Sequence, residues 1–276
     1  MSEVVWLTGC ASGVGKHLMR VFVEKNYRVV ATDIDIDELQ AVAESEKWVK
    51  PRLLVRRLDV TSRADWEAVC DDVLAKWGKI DRLFNIAGYL KPGFIHETEP
   101  EQIDLHMDIN VKGAMYGSQV VSKLMVRQGY GHIITIASMA SLAPIPGIAL
   151  YSASKYAVRA FSLALAEELR PRGVSVSVIC PDAIETPMLS LQEDYEEAAL
   201  TFSGPQVLTV EDIESVVFST ILGKKPLEVC IPWRRGALAR LGNAFPGISS
   251  ILAEALKKKG AKEQEKRKSA RSVNRM

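Results

Sequence analysis

Tyr151 and Lys155 stand four residues apart in the run Tyr151-Ser-Ala-Ser-Lys155, and Ser138 lies thirteen residues ahead of them. On a helix, that spacing puts a phenol and an ammonium on one face, one turn apart. A tyrosine of ordinary pKa, about 10, is a poor base at neutral pH. A neighbouring cation favours the phenolate. Lowering the pKa by two to three takes about 3–4 kcal/mol, roughly what one charge supplies at about 4 Å in an effective dielectric near 20. Such a phenol can exchange a proton with an alcohol or ketone oxygen, and Ser138 is the natural group to hold that oxygen. The pair alone decides nothing, because Tyr and Lys at this spacing also decorate ordinary helix surfaces. The elements around it carry the argument further.

The chain opens on an apolar run, Val4–Thr8, that reads as a buried strand. It leads into Thr8-Gly9-Cys-Ala-Ser12-Gly13-Val14-Gly15 and then a helical pattern over Lys16–Lys25. Strand, glycine-rich turn and helix form the setting of a phosphate-cradling loop. The glycines allow close backbone approach, and the helix N-terminus offers free N–H groups and a positive dipole end. The glycine spacing differs from Gly-x-Gly-x-x-Gly, and a ligand-free turn would use the same residues. A second strand, Tyr27–Thr32, ends in Asp33, eighteen residues after Gly15. A carboxylate there accepts bonds from an adenosine ribose and repels a 2′-phosphate. Ile34 follows, with no Arg or Lys next in sequence to Asp33, which favours NAD over NADP.

Further strands are expected at Leu53–Leu58, Ile80–Asn85, Ile133–Ala137, Ser175–Cys180 and Leu227–Ile231, with helices over Asp65–Trp77, Glu99–Gln128, Tyr151–Leu169 and Val210–Leu222. The strands are apolar almost throughout. That is the sign of a parallel sheet covered on both faces. Asp59, just after the third strand, and Ser138, just after the fifth, fall at the strand ends where ligands bind in such sheets. Residues 187–208 mix Met188, Leu189, Leu191, Tyr195 and Phe202 with acids, as a lid over a substrate cleft does. A plain surface excursion would share that composition. From Trp233, Leu238, Leu241, Phe245, Ile248, Ile251, Leu252 and Leu256 recur at roughly helical spacing. Three parts are expected: a catalytic domain over 1–232, an apolar extension over 233–256, and a basic disordered tail over 257–276.

The 276 residues, 47% apolar and 25% charged, suit one large α/β domain. Net charge is +1, which excludes nucleic-acid binding by bulk electrostatics. The last twenty residues carry nine Lys/Arg and two Glu, leaving −6 on the remainder. Cysteines at 10, 70, 180 and 230 form no Cys-x-x-Cys and point to reduced thiols in a cytoplasmic protein. The N-terminus has no signal-peptide pattern, and no apolar run reaches transmembrane length. None of the histidines (17, 96, 106, 132) is placed like a ligand, so no metal site is expected.

Taken in order, these motifs resemble the short-chain dehydrogenase/reductase family, over about Val4 to Ile231. Thr8-Gly9-x-x-x-Gly13-x-Gly15 is similar to its cofactor loop, with Ser12 and Val14 inside it. Asp59-Val60 resembles its adenine contact, and Asn85-Ile86-Ala87-Gly88 its Asn-Asn-Ala-Gly segment. Asn110, Ser138, Tyr151 and Lys155 match its catalytic tetrad. Pro181 to Thr186, including Ile184, resembles its nicotinamide-side segment. The resemblance implies a single Rossmann-type doubly wound parallel sheet with helices on both faces. It implies Tyr151 as acid/base, Lys155 as its activator and ribose contact, and Ser138 as the group steadying the substrate oxygen. Asn110 would hold a water in the proton relay, and Thr186 the carboxamide. Two residues depart from the pattern: Ile86 replaces Asn, and Asp182 replaces Gly.

The expected activity is NAD(H)-dependent hydride transfer on a secondary alcohol or ketone. The apolar segments favour a hydroxysteroid, a retinol-like alcohol or a long-chain acyl compound. An NADP-linked 3-oxoacyl reductase is the alternative within the enzyme class. A non-catalytic NAD-sensing protein docked on a partner or membrane is the alternative outside it, motivated by an apolar segment leading into a basic tail. The resemblance also implies a homodimer or homotetramer built on helices 99–128 and 151–169.

Overall fold

The computed structural model describes residues 2–45 and 51–273. Among the described residues seven strands, β1 (Val4–Thr8), β2 (Arg28–Asp33), β3 (Leu53–Arg57), β4 (Arg82–Asn85), β5 (Gly131–Ile136), β6 (Val174–Pro181) and β7 (Glu228–Ile231), form one sheet. Its order is β3-β2-β1-β4-β5-β6-β7, and every pairing is parallel. The chain winds outward from β1 in one direction and from β4 in the other. The C-terminal ends of these two strands therefore flank a crevice at the switch point.

The helices are α1 (Gly13–Glu24), α2 (Ile36–Ser45), α3 (Arg63–Trp77), α4 (Pro100–Met107), α5 (Gly113–Gln128), α6 (Ala149–Leu169), α7 (Pro187–Gln192), α8 (Val210–Val216), α9 (Leu222–Lys224), α10 (Trp233–Ala244) and α11 (Pro246–Val273). Alternation along β1 shows why its strand reads as apolar throughout. Val5 and Leu7 enter a core with Leu18, Phe22, Phe84 and Ile179, while Val4 and Trp6 enter a second core with Trp66, Val121 and Ile133. The Trp6 and Trp66 rings lie 5.0 Å apart. Their indole N–H groups donate to Thr32 Oγ1 and to the Val60 carbonyl. Gly117 makes room for this pair, since a Cβ there would lie 2.4 Å from Trp66.

One expectation is refined and one corrected. The expected helix over Glu99–Gln128 is present from Pro100 without a break, but α4 and α5 join through a π-turn over Asp108–Lys112, with buried Asn110 inside it. The cause is tertiary. Asn110 is drawn inward to bond the backbone of Tyr89, and a widened turn absorbs the displacement. The basic tail is not disordered, because residues 257–273 continue α11 and pack along the segment Glu196–Ser203. Of the apolar extension, Leu238, Leu241, Phe245 and Leu256 are exposed on one side. The side chains of Ile248, Ile251 and Leu252 lie outside the described residues.

Candidate active site

A cavity of about 1810 Å³ spans the C-terminal edge of the sheet. That exceeds the roughly 300–1,000 Å³ of a pocket for one small molecule and suits a dinucleotide plus a second ligand. Sixteen of the eighteen residues singled out from the sequence line it: Gly9, Ser12, Gly13, Val14, Gly15, Asp33, Asp59, Val60, Ala87, Gly88, Ser138, Tyr151, Lys155, Pro181, Ile184 and Thr186. Asn85 and Asn110 sit behind its wall.

At one end, the β1–α1 turn forms a cradle. Gly9 and Gly13 adopt φ of +70° and +52°, which glycine alone takes without strain. A Cβ on Gly15 would meet the Gly9 carbonyl oxygen at 1.9 Å. Ser12 is the N-cap of α1, yet its side chain makes no cap bond. The first N–H groups of α1 are left for an anion. Asp33 faces the same cradle: its Oδ2 accepts from Ala11 N–H at 2.8 Å and its Oδ1 from Asp35 N–H at 3.1 Å. Each oxygen keeps lone-pair capacity for a ribose hydroxyl. Asp59 closes the far wall, with Oδ1 accepting from the N–H and hydroxyl of Thr61. These features fit a nicotinamide dinucleotide.

Thr8 ties the cradle to β4, since its hydroxyl accepts from both Ile86 N–H and Ala87 N–H at 3.0 Å. Asn85 turns away, donating to Ser118 Oγ at 3.1 Å while its Oδ1 is buried without a partner. Ile86 packs against the core. Across the cleft, Thr186 caps α7 and comes close to the loop, because a Cβ on Gly13 would meet its methyl at 3.3 Å.

The centre of the cleft holds the chemistry. Ser138 leaves β5 in extended backbone and its Oγ accepts from Ala140 N–H at 3.1 Å. Tyr151, on the first turn of α6, lines the same stretch of the cleft as Ser138. Burial pushes the Tyr151 phenol up to about 12, and the nearby Ser138 side chain only partly opposes this. Burial also lowers Lys155 to about 8. Lys155 Nζ donates to the Ile136 carbonyl at 3.0 Å and lies over the Tyr151 ring, 5.5 Å from its centroid. The sequence reading expects Lys155 to lower the Tyr151 pKa. In this geometry desolvation governs both groups, and Tyr151 is a well-protonated acid. Asn110 Oδ1 accepts from Tyr89 N–H at 2.7 Å, and its Nδ2 donates to the Tyr89 carbonyl and to Ser154 Oγ, both at 2.9 Å. Both Nδ2 hydrogens are thereby used, while Oδ1 keeps a second lone pair.

Sequence reasoning missed the other side of the cleft. Arg235, from α10, forms an ion pair with Asp182 at 2.8 Å, and both line the cavity. The partners are 53 residues apart, and only the Gly-to-Asp departure hinted that position 182 was special. Asp182 Oδ2 is buried without a well-aligned hydrogen bond. Burial raises its pKa, with the Arg235 guanidinium opposing. Cys10, by contrast, is a buried thiol pushed up by desolvation and donating to the Leu7 carbonyl, a filler of the turn.

The comparisons with known proteins agree with this geometry. The chain is 35% identical over 202 residues to 2-(R)-hydroxypropyl-CoM dehydrogenase of Xanthobacter autotrophicus, covering 71% of this chain and 80% of that protein. It is 34% identical over 221 residues to the NADP-dependent 3-hydroxy acid dehydrogenase YdfG of Salmonella typhi, covering 78% and 87%. Among solved structures, a short chain dehydrogenase/reductase from Burkholderia phymatum in complex with NAD superposes with a TM-score of 0.80 at 24% identity, over 90% of this chain and 95% of that one. ElxO with NADP bound gives 0.74 at 22%, over 83% and 98%. The family model described as short chain dehydrogenase matches residues 3–197. The chain belongs to the short chain dehydrogenase family.

Proposed function

We propose that the protein is an NAD(H)-dependent oxidoreductase acting on secondary alcohols and ketones with an apolar body. The observation that carries the proposal is that Ser138, Tyr151 and Lys155 line one cleft with the Gly9–Gly15 cradle. The bound nicotinamide supplies or accepts the hydride. The protein's own residues handle the oxygen. Ser138 and Tyr151 meet at it, and Tyr151, held protonated by burial, donates a proton as a ketone becomes an alcohol. In the opposite direction it receives that proton. Lys155, close to its titration range, passes protons onward and bonds the ribose, and Thr186 holds the carboxamide. Asp33 selects NAD by repelling a 2′-phosphate.

An apolar substrate is supported by the wall beyond Tyr151, where Leu90, Ile145, Ile148, Met188 and Leu200 line the cavity. A second reading, an NADP-linked 3-hydroxyacyl or 3-oxoacyl enzyme, is favoured by Arg57, which stands in register beside Asp33 although it pairs with Asp65. NADH and NADPH titrations followed by nicotinamide fluorescence decide between them. A turnover screen over short alcohols, hydroxysteroids, retinoids and hydroxyacyl compounds then defines the substrate. Turnover that survives Tyr151→Phe unchanged would refute the assignment. A homodimer or homotetramer through α5 and α6 is part of the proposal, and sedimentation equilibrium tests it.

A further inference from the structure

We infer that α11 is a latch for the substrate lid, with Gln264, Arg267 and Arg271 as positioning residues that hold Pro187–Ser203 over the cleft. The inference rests on the reading of the cleft as a substrate site.

The lid is part of the site wall. Met188, Leu189, Gln192, Leu200 and Thr201 line the cavity. Ala198 is fully buried in one cluster with Tyr151, Ala140 and Ile148, and Met188 and Tyr195 pack on it. The lid has little regular structure to fix it: a six-residue helix followed by a 3-10 segment, Glu196–Ser203. Something outside must hold it.

That something is one face of α11. Gly260 and Gln264 are buried, and Arg267 and Arg271 are half-buried, among otherwise largely exposed neighbours. Positions 260, 264, 267 and 271 recur at helical spacing, so they form a single stripe. The stripe is polar because its counterpart is polar. Gly260 gives close approach: a Cβ there would lie 2.0 Å from the Ala199 carbonyl oxygen. Gln264 Nε2 donates to the carbonyls of Gln192 at 2.9 Å and Tyr195 at 2.7 Å, each of which also accepts one backbone N–H, from Tyr195 and Ala198, and uses its second lone pair for the latch. Lys259 Nζ donates to the Ser203 carbonyl at 3.1 Å. Arg267 grips Glu185 with one nitrogen at 2.6 and 2.7 Å and Glu193 with its Nε at 2.8 Å. Arg271 donates to the Ser190 carbonyl at 3.1 Å and stands 3.6 Å from Glu193.

Glu193 makes the dependence specific. Its side chain is only 4% exposed, and among the described residues its ion pairs are with Arg267 and Arg271. A buried carboxylate stripped of its cations is strongly unfavourable. Without the latch, the lid must turn Glu193 out to water, which lifts Gln192 and Met188 off the cleft.

The test is hydrogen exchange of the full-length protein without ligand, joined to kinetics with 2-decanone as probe ketone and NADH. Arg267→Ala and Gln264→Ala should each speed exchange across 187–203 by about tenfold, leaving β4 and β5 unchanged. Arg267→Lys, which keeps the charge but cannot span two carboxylates, should recover part of the protection. With the ketone, KM should rise about tenfold in Arg267→Ala while kcat changes less than about twofold and NADH affinity is unaltered. If Arg267→Ala fails to fold, Glu185→Gln carries the same measurement. Lid exchange within about twofold of wild type in Gln264→Ala and in the Arg267 or Glu185 variant overturns the latch. Absence of turnover in the wild type overturns the assigned chemistry instead and leaves the exchange result decisive for the latch.

Discussion

The Lys155 ammonium lies over the face of the Tyr151 ring, 5.5 Å from its centroid, and is anchored to the Ile136 carbonyl. The arrangement places a cation where almost no water reaches it, and folding bears that cost for the sake of the site.

The cost has a sign and a pH window. Burial holds Lys155 at about 8 in the folded chain, below its ordinary value of 10.5. Below pH 8 both states carry the proton, and the folded state pays the full desolvation penalty. Between 8 and 10.5 the unfolded chain holds more protons, so this contribution to stability rises with pH. Lys155→Met should therefore stabilise the ligand-free protein at pH 7 by on the order of 2 kcal/mol, after allowing for the lost bond to Ile136. The gain should fade by about pH 10. Urea midpoints at the two pH values check this, and a pH-independent difference would contradict it.

In the proposed reading, Asp33 sets the choice of cofactor. Asp33→Ala removes the carboxylate that opposes a 2′-phosphate and leaves Arg57 in register beside the vacated position. The ratio of NADPH to NADH affinity should rise at least about tenfold, equivalent to about 1.4 kcal/mol. Fluorescence titration of the two cofactors measures it.

The legible parts of the molecule are those where one local pattern has one purpose. The apolar strands, the Gly9–Gly15 turn and the Ser138–Tyr151–Lys155 spacing each announce their place, because sheet burial and backbone approach restrict which residues fit. The π-turn at Asn110 is illegible, since no Pro or Gly interrupts the helical signal between Glu101 and Lys112, and the cause is a bond to Tyr89 in another element. Helix α11 is illegible for a different reason. Its lid-facing stripe is Gly260, Gln264, Arg267 and Arg271, and polar residues against a polar lid give the composition of a solvated tail.

Asn110 offers a test of that tertiary cause. Asn110→Ala leaves the partly buried Tyr89 N–H and carbonyl without their Asn110 partners. Loss of about 1–3 kcal/mol of stability is expected, since water can reach these groups in part. Thermal or urea unfolding of the ligand-free protein measures it, separately from any loss of turnover. A change under about 0.5 kcal/mol, the range of an ordinary surface substitution, would mean the side chain does not hold the turn.

The Asp182–Arg235 pair joins the end of β6 to α10 across the cleft. The Asp182 side chain is 9% exposed, and burial raises its carboxyl against the pull of Arg235. With the folded pKa above the ordinary carboxyl value of 3.8, the folded state binds more protons just above pH 3.8, and this contribution to stability falls as pH rises through that window. At neutral pH the carboxylate depends on its partner. Arg235→Ala should cost about 3 kcal/mol by leaving a buried charge alone, whereas Asp182→Asn should be close to neutral or mildly stabilising. The double variant should recover most of the Arg235→Ala loss, so the double-mutant cycle should give a coupling of at least about 1 kcal/mol. Additive losses would show instead that Asp182 and Arg235 stabilise the cleft independently, each through its own packing.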